Sequence, residues 1–183
     1  MSSLKVKKLL KQASIFCQTG NFLEAGKIYL ELLKTIPSHP EVLANLGTIE
    51  LQSGNFEKGI IYLKKSIHSN PAQPIIISNL ANGLLELGEF AEAIKYYRLA
   101  LKLDPNANQI FYNLARALKA TGRFDEAVNA YQEALKINPT FILAYFNLGS
   151  LYNEIGQYNL AIMKFSGRLI YSHLILNFSI VAE

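Results

Sequence analysis

A chain of 183 residues, 50% hydrophobic and 17% charged, can bury a substantial core. Its single cysteine, Cys17, excludes a disulfide framework and a paired-thiol site for metal or redox chemistry. The net charge of +4 is modest and argues against a nucleic-acid partner, since the lysines lie between apolar positions as on a solvated helix face (Lys64, Lys65, Lys95, Lys102 and Lys136).

The amino-terminal residues 1–11 alternate lysine with Leu and Val. They contain neither a continuous apolar stretch nor a cleavage-site pattern, so they are predicted to form the first helix of the repeats described below rather than a signal peptide. We therefore expect a cytoplasmic protein.

The rest of the chain repeats with a period of 34 residues. Glycine recurs at Gly20, Gly54, Gly88, Gly122 and Gly156. In the same phase a small residue recurs at Ala25, Gly59, Ala93, Ala127 and Ala161, and proline at Pro37, Pro71, Pro105 and Pro139. The repeats are predicted to span 6–39, 40–73, 74–107, 108–141 and, incompletely, 142–165, so that residues 1–165 form one array.

Each repeat reads as two helices. In repeat 108–141, apolar residues recur at helical spacing before and after Gly122, where a glycine can end a helix in the left-handed conformation. The second helix opens with the acidic pair Asp125 and Glu126, which the helix dipole favours, and Pro139 ends it. The small residues Ala115 and Ala127 are predicted to lie where the helices cross, with neighbouring hairpins burying the remaining apolar faces.

The repeated residues closely resemble the tetratricopeptide repeat, a helix-turn-helix unit of this length. The third repeat, for example, carries the motif as Ile77, Leu80, Ala81, Gly88, Phe90, Ala93, Ala100 and Pro105. The family's tryptophan is absent, and the first repeat departs from the motif at Gln12 and Leu32. The resemblance implies an all-α fold, a right-handed α-solenoid of about five repeats, whose first helices line a concave groove for a protein or extended peptide.

The last segment, residues 166–183, departs from the repeat pattern. It is apolar but too short and too interrupted by polar residues to span a bilayer, which takes about 20 apolar residues, so no membrane partner is expected. Two interpretations stay open: a truncated or frame-shifted form of a longer repeat protein, or a divergent capping helix.

No pattern of residues indicates catalysis. His39, His68 and His173 occupy different registers without carboxylates or cysteines at ligand spacing, so no metal is expected. No phosphate-binding glycine loop, nucleophile elbow or zinc-protease helix occurs in the sequence. The prediction is a protein that is not an enzyme and has no cofactor.

One polar column recurs on the predicted first helices, at Asn45, Asn79, Asn113 and Asn147. An asparagine amide both donates and accepts, so a row of them can pair with the backbone of an extended peptide. The column resembles the asparagine ladder of O-linked N-acetylglucosamine transferases, which implies backbone clamping of protein substrates. Asparagine at this position is also common across the repeat family, so a local structural role stays open.

Helical spacing brings further residues to the side of this column. Arg116 is a candidate charged anchor, and Tyr112 and Phe146 are candidate aromatic anchors, although Phe146 can equally pack between helices. The predicted binding residues are Asn45, Asn79, Asn113, Asn147, Asn82, Tyr112, Arg116 and Phe146.

The sequence therefore predicts a non-catalytic scaffold or adaptor that binds a peptide or protein partner in its groove. The alternative is the substrate-recruiting arm of a glycosyltransferase of the O-linked N-acetylglucosamine type whose catalytic domain lies outside this chain. The sequence leaves the oligomeric state and the partner's identity open.

Overall fold

The computed structural model describes residues 2–161 and residue 163. Within these residues every secondary-structure element is a helix and no strand occurs, which confirms the predicted all-α fold of tandem helical hairpins. The predicted tail, residues 166–183, lies outside the described residues. The helices are α1 Ser3–Gln18, α2 Phe22–Leu33, α3 Pro40–Gln52, α4 Phe56–Ser69, α5 Pro74–Glu86, α6 Phe90–Leu103, α7 Asn108–Ala120, α8 Phe124–Ile137 and α9 Ile142–Glu154.

The chain divides into two compact units, Met1–Leu103 and Asp104–Glu183. The first unit contains three hairpins, α1 with α2, α3 with α4, and α5 with α6. These hairpins stack because α2 packs on α3 and α4 packs on α5. In the second unit α7 pairs with α8, and α9 packs on α8.

Helix ends follow the predicted signals. The five periodic glycines all adopt a left-handed conformation, with φ between 74° and 80°. At Gly54 the turn is closed by backbone hydrogen bonds from Gly54 to the Leu51 carbonyl and from Asn55 to the Glu50 carbonyl. Proline opens α3 and α5, where its missing N–H would have no helical partner.

Large apolar side chains fill the spaces between hairpins. In the first unit the fully buried residues include Tyr29, Leu46, Leu63, Leu80 and Tyr97. In the second unit they are Leu118, Tyr131, Leu148 and Leu151. Burial raises the pKa of the Tyr131 phenol above its ordinary range, so this residue packs as a neutral ring.

A close approach between two helices occurs in the second repeat, where α3 and α4 cross at two glycines. A Cβ atom built on Gly59 would lie 2.9 Å from the Gly47 carbonyl oxygen and 2.6 Å from Leu51 Cδ2. A Cβ atom on Gly47 would lie 2.7 Å from Leu63 Cγ. Small residues at this crossing are thus a steric requirement of the hairpin.

A second special feature of this hairpin is a buried carboxylate. Glu50 is only 8% exposed, although the equivalent places in other repeats carry Phe16, Leu84, Leu118 and Tyr152. Its Oε1 lies 2.5 Å from Lys58 Nζ, and its Oε2 accepts a hydrogen bond of 2.8 Å from Asn55 Nδ2. The hydrogen bond to Glu50 raises the pKa of Lys58, so this ammonium group keeps its charge to higher pH than a free lysine.

We predict opposite effects for two glycine-to-alanine substitutions. Gly59→Ala should destabilise the protein by about 1–3 kcal/mol, because the new methyl group meets a backbone oxygen that cannot rotate away. Gly26→Ala is the matched control, since its Cβ atom would meet only Ile49 Cγ2, at 3.9 Å. It should stabilise α2 by up to about 1 kcal/mol through helix propensity. Urea unfolding followed by circular dichroism measures both, and equal effects would contradict the close crossing.

Removing the hydrogen-bond partner of the buried Glu50 carboxylate should lower the free energy of unfolding more than removing the carboxylate itself. Asn55→Ala leaves an oxygen of Glu50 without a partner and should cost about 1–3 kcal/mol of unfolding free energy. Glu50→Leu restores the apolar residue of the other repeats and should change the free energy by less than about 1 kcal/mol. Urea midpoints of the two variants test this order, and a larger loss for Glu50→Leu would show that the ion pair itself stabilises the fold.

Candidate functional site

The asparagine column lies on the first helices, with Asn45 on α3, Asn79 on α5, Asn113 on α7 and Asn147 on α9. Asn113 is buried and the other three are half-buried. Within each unit, we call the side of the first helices that carries these asparagines the first-helix surface. Each of the two surfaces carries two asparagines.

Three of the amides form hydrogen bonds to a neighbouring repeat within their own unit. Asn45 Nδ2 donates to the Tyr29 hydroxyl at 3.0 Å, and Asn147 Nδ2 donates to the Tyr112 hydroxyl at 2.7 Å. Asn79 Nδ2 donates to Thr48 Oγ1 at 3.3 Å. The local structural role that the sequence left open is therefore present.

The partners of Asn45 and Asn79 differ with the residue at one position of the preceding second helix, whereas Asn147 donates to Tyr112 although Tyr131 occupies that position. Tyr29 occupies it for Asn45, and burial raises the pKa of its phenol, so the neutral hydroxyl remains available as an acceptor. Leu63 occupies it for Asn79 and offers no polar atom, which explains the bond to Thr48 instead.

The amide oxygens of these three residues are open. Within the described part of the chain, Oδ1 of Asn45, Asn79 and Asn147 accepts no hydrogen bond. The side chains are thus held in place through nitrogen and keep their oxygen for another donor.

In the first unit Asn79 borders a cavity of about 260 Å³ between α3 and α5. Asn82, also predicted, lies beside it, and its Oδ1 accepts a hydrogen bond of 2.6 Å from the buried Tyr97 hydroxyl. The cavity is lined by Thr48, Leu51, Gln52, Phe56, Asn79, Asn82, Gly83 and Glu86. It has an apolar floor and a polar rim, the combination typical of a side-chain pocket.

Gly83 leaves the space for this cavity. The equivalent places in the other described repeats carry Ile49, Ala117 and Leu151. A Cβ atom on Gly83 would lie 2.8 Å from Leu51 Cδ2 and 3.1 Å from Ile60 Cγ1. A glycine inside a helix costs about 1 kcal/mol relative to alanine, and here it keeps the pocket open.

In the second unit Arg116 and Asn147 come together at a cavity of about 400 Å³. Tyr131 and Ala120 complete its apolar part, and Lys119 Nζ pairs with Glu154 Oε2 at 2.7 Å on its edge. Three charged residues line this cavity, whereas Glu86 is the one charged residue that lines the cavity beside Asn79.

The two predicted aromatic anchors differ in exposure. Tyr112 is only 9% exposed, and its ring packs at centroid distances of 5.0 Å from Phe141 and 5.9 Å from Tyr131. It therefore differs from the expected surface anchor and acts by orienting Asn147 through its hydroxyl. Phe146 is 47% exposed and presents ring surface.

Sequence reasoning missed several residues that line the cavities: Thr48, Gln52, Glu86 and Glu154. All of them follow an asparagine of the column by three or seven residues. Extending the column by one and two helical turns would have found them.

Among the residues that the structure describes, no group of three His, Cys, Asp or Glu side chains lies close enough together to hold a metal ion. In the same part of the chain no helix has the length and hydropathy needed to cross a membrane. His173 lies outside these residues.

Comparison with known structures finds helical repeat proteins along almost the whole chain. A crystal structure of MamA is 25% identical, covers 90% of this chain and 96% of its own, and superposes with a TM-score of 0.84. MamA from Desulfovibrio magneticus RS-1, from residue 41 to its end, is 17% identical, with coverages of 94% and 97% and a TM-score of 0.88. YrrB, described as a TPR protein with an unusual peptide-binding site, is 16% identical, with coverages of 89% and 84% and a TM-score of 0.77.

Family models for the tetratricopeptide repeat match residues 10–74 and 74–107, and one for the TPR repeat matches residues 115–156. No curated protein sequence matches the chain. The likeness of the asparagine column to O-linked N-acetylglucosamine transferases stays a prediction. The three repeat matches together span most of the chain, which is therefore a tetratricopeptide repeat protein.

Proposed function

We propose that this protein is a non-catalytic binding module that holds an extended segment of a partner protein along the first-helix surface of a unit. The observation that carries the proposal is the open amide oxygens, at Asn45 and Asn79 in the first unit and at Asn147 in the second. A backbone N–H of an extended peptide is the donor that such an oxygen pairs with irrespective of the peptide's sequence.

Preorganisation gives these amides their value for binding. A free asparagine side chain loses rotamer entropy when it binds, whereas one already fixed through Nδ2 has lost that entropy on folding. The bonds of Asn45 to Tyr29 and of Asn147 to Tyr112 supply this fixation. The same hydrogen bonds thus stabilise the stack and prepare the surface.

The cavities beside the column supply sequence preference. The cavity next to Asn79 has room for an apolar side chain above Leu51, and the cavity next to Asn147 offers Arg116 to an acidic one. Backbone pairing through the amides and side-chain pockets between them is a common division of labour in the recognition of extended peptides. YrrB, a repeat protein of the same fold described as having a peptide-binding site, supports this use of the scaffold.

The alternative function, a substrate-recruiting arm of a glycosyltransferase, would use the same surface. It differs only in what the bound segment is delivered to. Identification of the natural partner distinguishes the two.

One experiment separates the effect of the asparagines on peptide affinity from their effect on stability. It compares variants at the two ends of the hydrogen bond between Asn45 and Tyr29. A ligand is first selected from a library of random unstructured peptides displayed on phage. The double variant Asn45→Ala/Asn79→Ala should bind it about tenfold or more weakly, because two acceptors for peptide N–H groups are lost. Fluorescence anisotropy with the labelled peptide measures the affinity.

Tyr29→Phe is the control for this experiment. It removes the same hydrogen bond to Asn45 but leaves the amide in place, and the Tyr29 ring is only 1% exposed and out of a ligand's reach. It should lower the urea midpoint and change the affinity by no more than about threefold. Equal losses of affinity in Tyr29→Phe and in the asparagine variant would show that the column acts only through stability.

The second prediction concerns the cavity of the first unit. Gly83→Ala places a methyl group against Leu51 Cδ2 and narrows the pocket while removing no polar group. Affinity for the selected peptide should fall several-fold, while helix propensity offsets the tighter packing and keeps the unfolding free energy within about 1 kcal/mol. An unchanged affinity would show that no side chain of the peptide enters this cavity.

A further inference from the structure

The first unit has another cavity, of about 550 Å³, where the connection between α2 and α3 meets the carboxyl-terminal half of α4. It shares no residue with the cavity of the first-helix surface in that unit. Its lining consists of Pro37, Ser38, Leu43, Lys64, Lys65, His68 and Ser69. No acidic residue is among them, and three of the seven can carry a positive charge.

These cations lack partners. Lys64, Lys65 and His68 form no ion pair or hydrogen bond through their side chains with any residue that the structure describes. Three lysines of other second helices do pair, each with a glutamate three residues earlier: Lys27 with Glu24, Lys95 with Glu92 and Lys136 with Glu133. Lys64 and Lys65 are exposed, as expected for a solvated helix face, but they have no such glutamate.

Among the four repeats whose second helices the structure describes, the second is the one with a cation at both of these places. The place of Lys65 is taken by Glu31 in the first repeat and by Glu133 in the fourth, and both glutamates bind a lysine. The third repeat carries Leu99 there, with Arg98 at the place of Lys64. The first and fourth repeats carry Leu30 and Gln132 at the place of Lys64.

The walls of the cavity are fixed by hydrogen bonds. The buried Ser66 Oγ donates to the Pro40 carbonyl at 2.8 Å and ties α4 to the start of α3. At that start His39 provides no side-chain cap, and Glu41 lies in the first turn of α3. Ser38 and Ser69 place hydroxyl groups at the rim, and the Ser69 hydroxyl donates to the Lys65 carbonyl at 3.2 Å.

We propose that this cavity binds a phosphomonoester group. Two ammonium groups, an imidazole and hydroxyls match the charge and the acceptor oxygens of a phosphate dianion, and the apolar Pro37 and Leu43 can contact the group that carries it. The site is independent of the first-helix surface.

A polyanion fits this site less well. Nucleic acids and anionic membranes need positive charge that continues across a face. Here the neighbouring second helices of the same unit interrupt the positive charge, since Glu24, Glu31 and Glu92 lie among Lys27, Lys95, Arg98 and Lys102. The ligand chemistry is that of a compact phosphate, whether on a small metabolite or on a phosphorylated serine of a partner.

The test is a titration of the isotopically labelled full chain with O-phospho-L-serine, followed by amide chemical shifts, with L-serine and sodium sulfate as probes at matched ionic strength. We expect saturable shifts around Ser38, Lys64, Lys65 and His68 with phosphoserine and none with serine. Lys64→Gln/Lys65→Gln should weaken binding at least about tenfold. Lys95→Gln/Lys136→Gln removes the same charge from lysines that are paired and exposed, and should leave binding unchanged.

The source of the phosphate is distinguished by a second arm with a short peptide in phosphorylated and unphosphorylated forms. Tighter binding of the phosphopeptide than of phosphoserine assigns the site to a phosphorylated partner, and equal binding assigns it to a small phosphorylated molecule. Shifts that do not saturate, that sulfate reproduces in full, or that persist in Lys64→Gln/Lys65→Gln would overturn the proposal.

Discussion

Close crossing of two helices at small residues is the constraint on which this structure depends. Where α3 crosses α4, the backbone at Gly47 and Gly59 approaches so closely that a single methyl group would meet a carbonyl oxygen. Only at such a distance can large side chains such as Leu46 and Leu63 fill the space around the crossing and become fully buried. A hairpin built in this way still exposes two apolar faces, and these are buried by the next hairpin in the same unit.

The periodic structure explains how one residue type can serve both stability and binding. Asn45, Asn79 and Asn147 each lie at the junction of two repeats of one unit, where the amide nitrogen donates to a hydroxyl of the preceding repeat. Because the amide nitrogen forms a hydrogen bond within the fold, the amide oxygen faces solvent in a fixed direction. Repetition of the junction then repeats the acceptor. A ladder of acceptors is thus a consequence of the stacking geometry rather than a site added to it.

Much of the fold could be predicted because it rests on local rules that recur. A glycine every 34 residues with positive φ, a proline just after the second helix and an apolar stripe of helical period each specify a local conformation, and Gly54 and Pro139 behave as expected. The site was less predictable, since it depends on which neighbour a side chain meets. Tyr112 matches the pattern of a surface anchor, yet Phe141 and Tyr131 cover its ring. The cavity beside Asn79 arises from the absence of a side chain at Gly83, which no residue pattern marks as functional.

The most direct test of the account is a crystal structure of the protein bound to a peptide selected for affinity. The account predicts an extended peptide along the first helices, with backbone N–H groups about 2.7–3.2 Å from Oδ1 of Asn45 and Asn79 while both amide nitrogens keep their bonds to Tyr29 and Thr48. A peptide bound on the second helices, or one that contacts the first-helix surface only through its side chains while the amide oxygens face water, would contradict it.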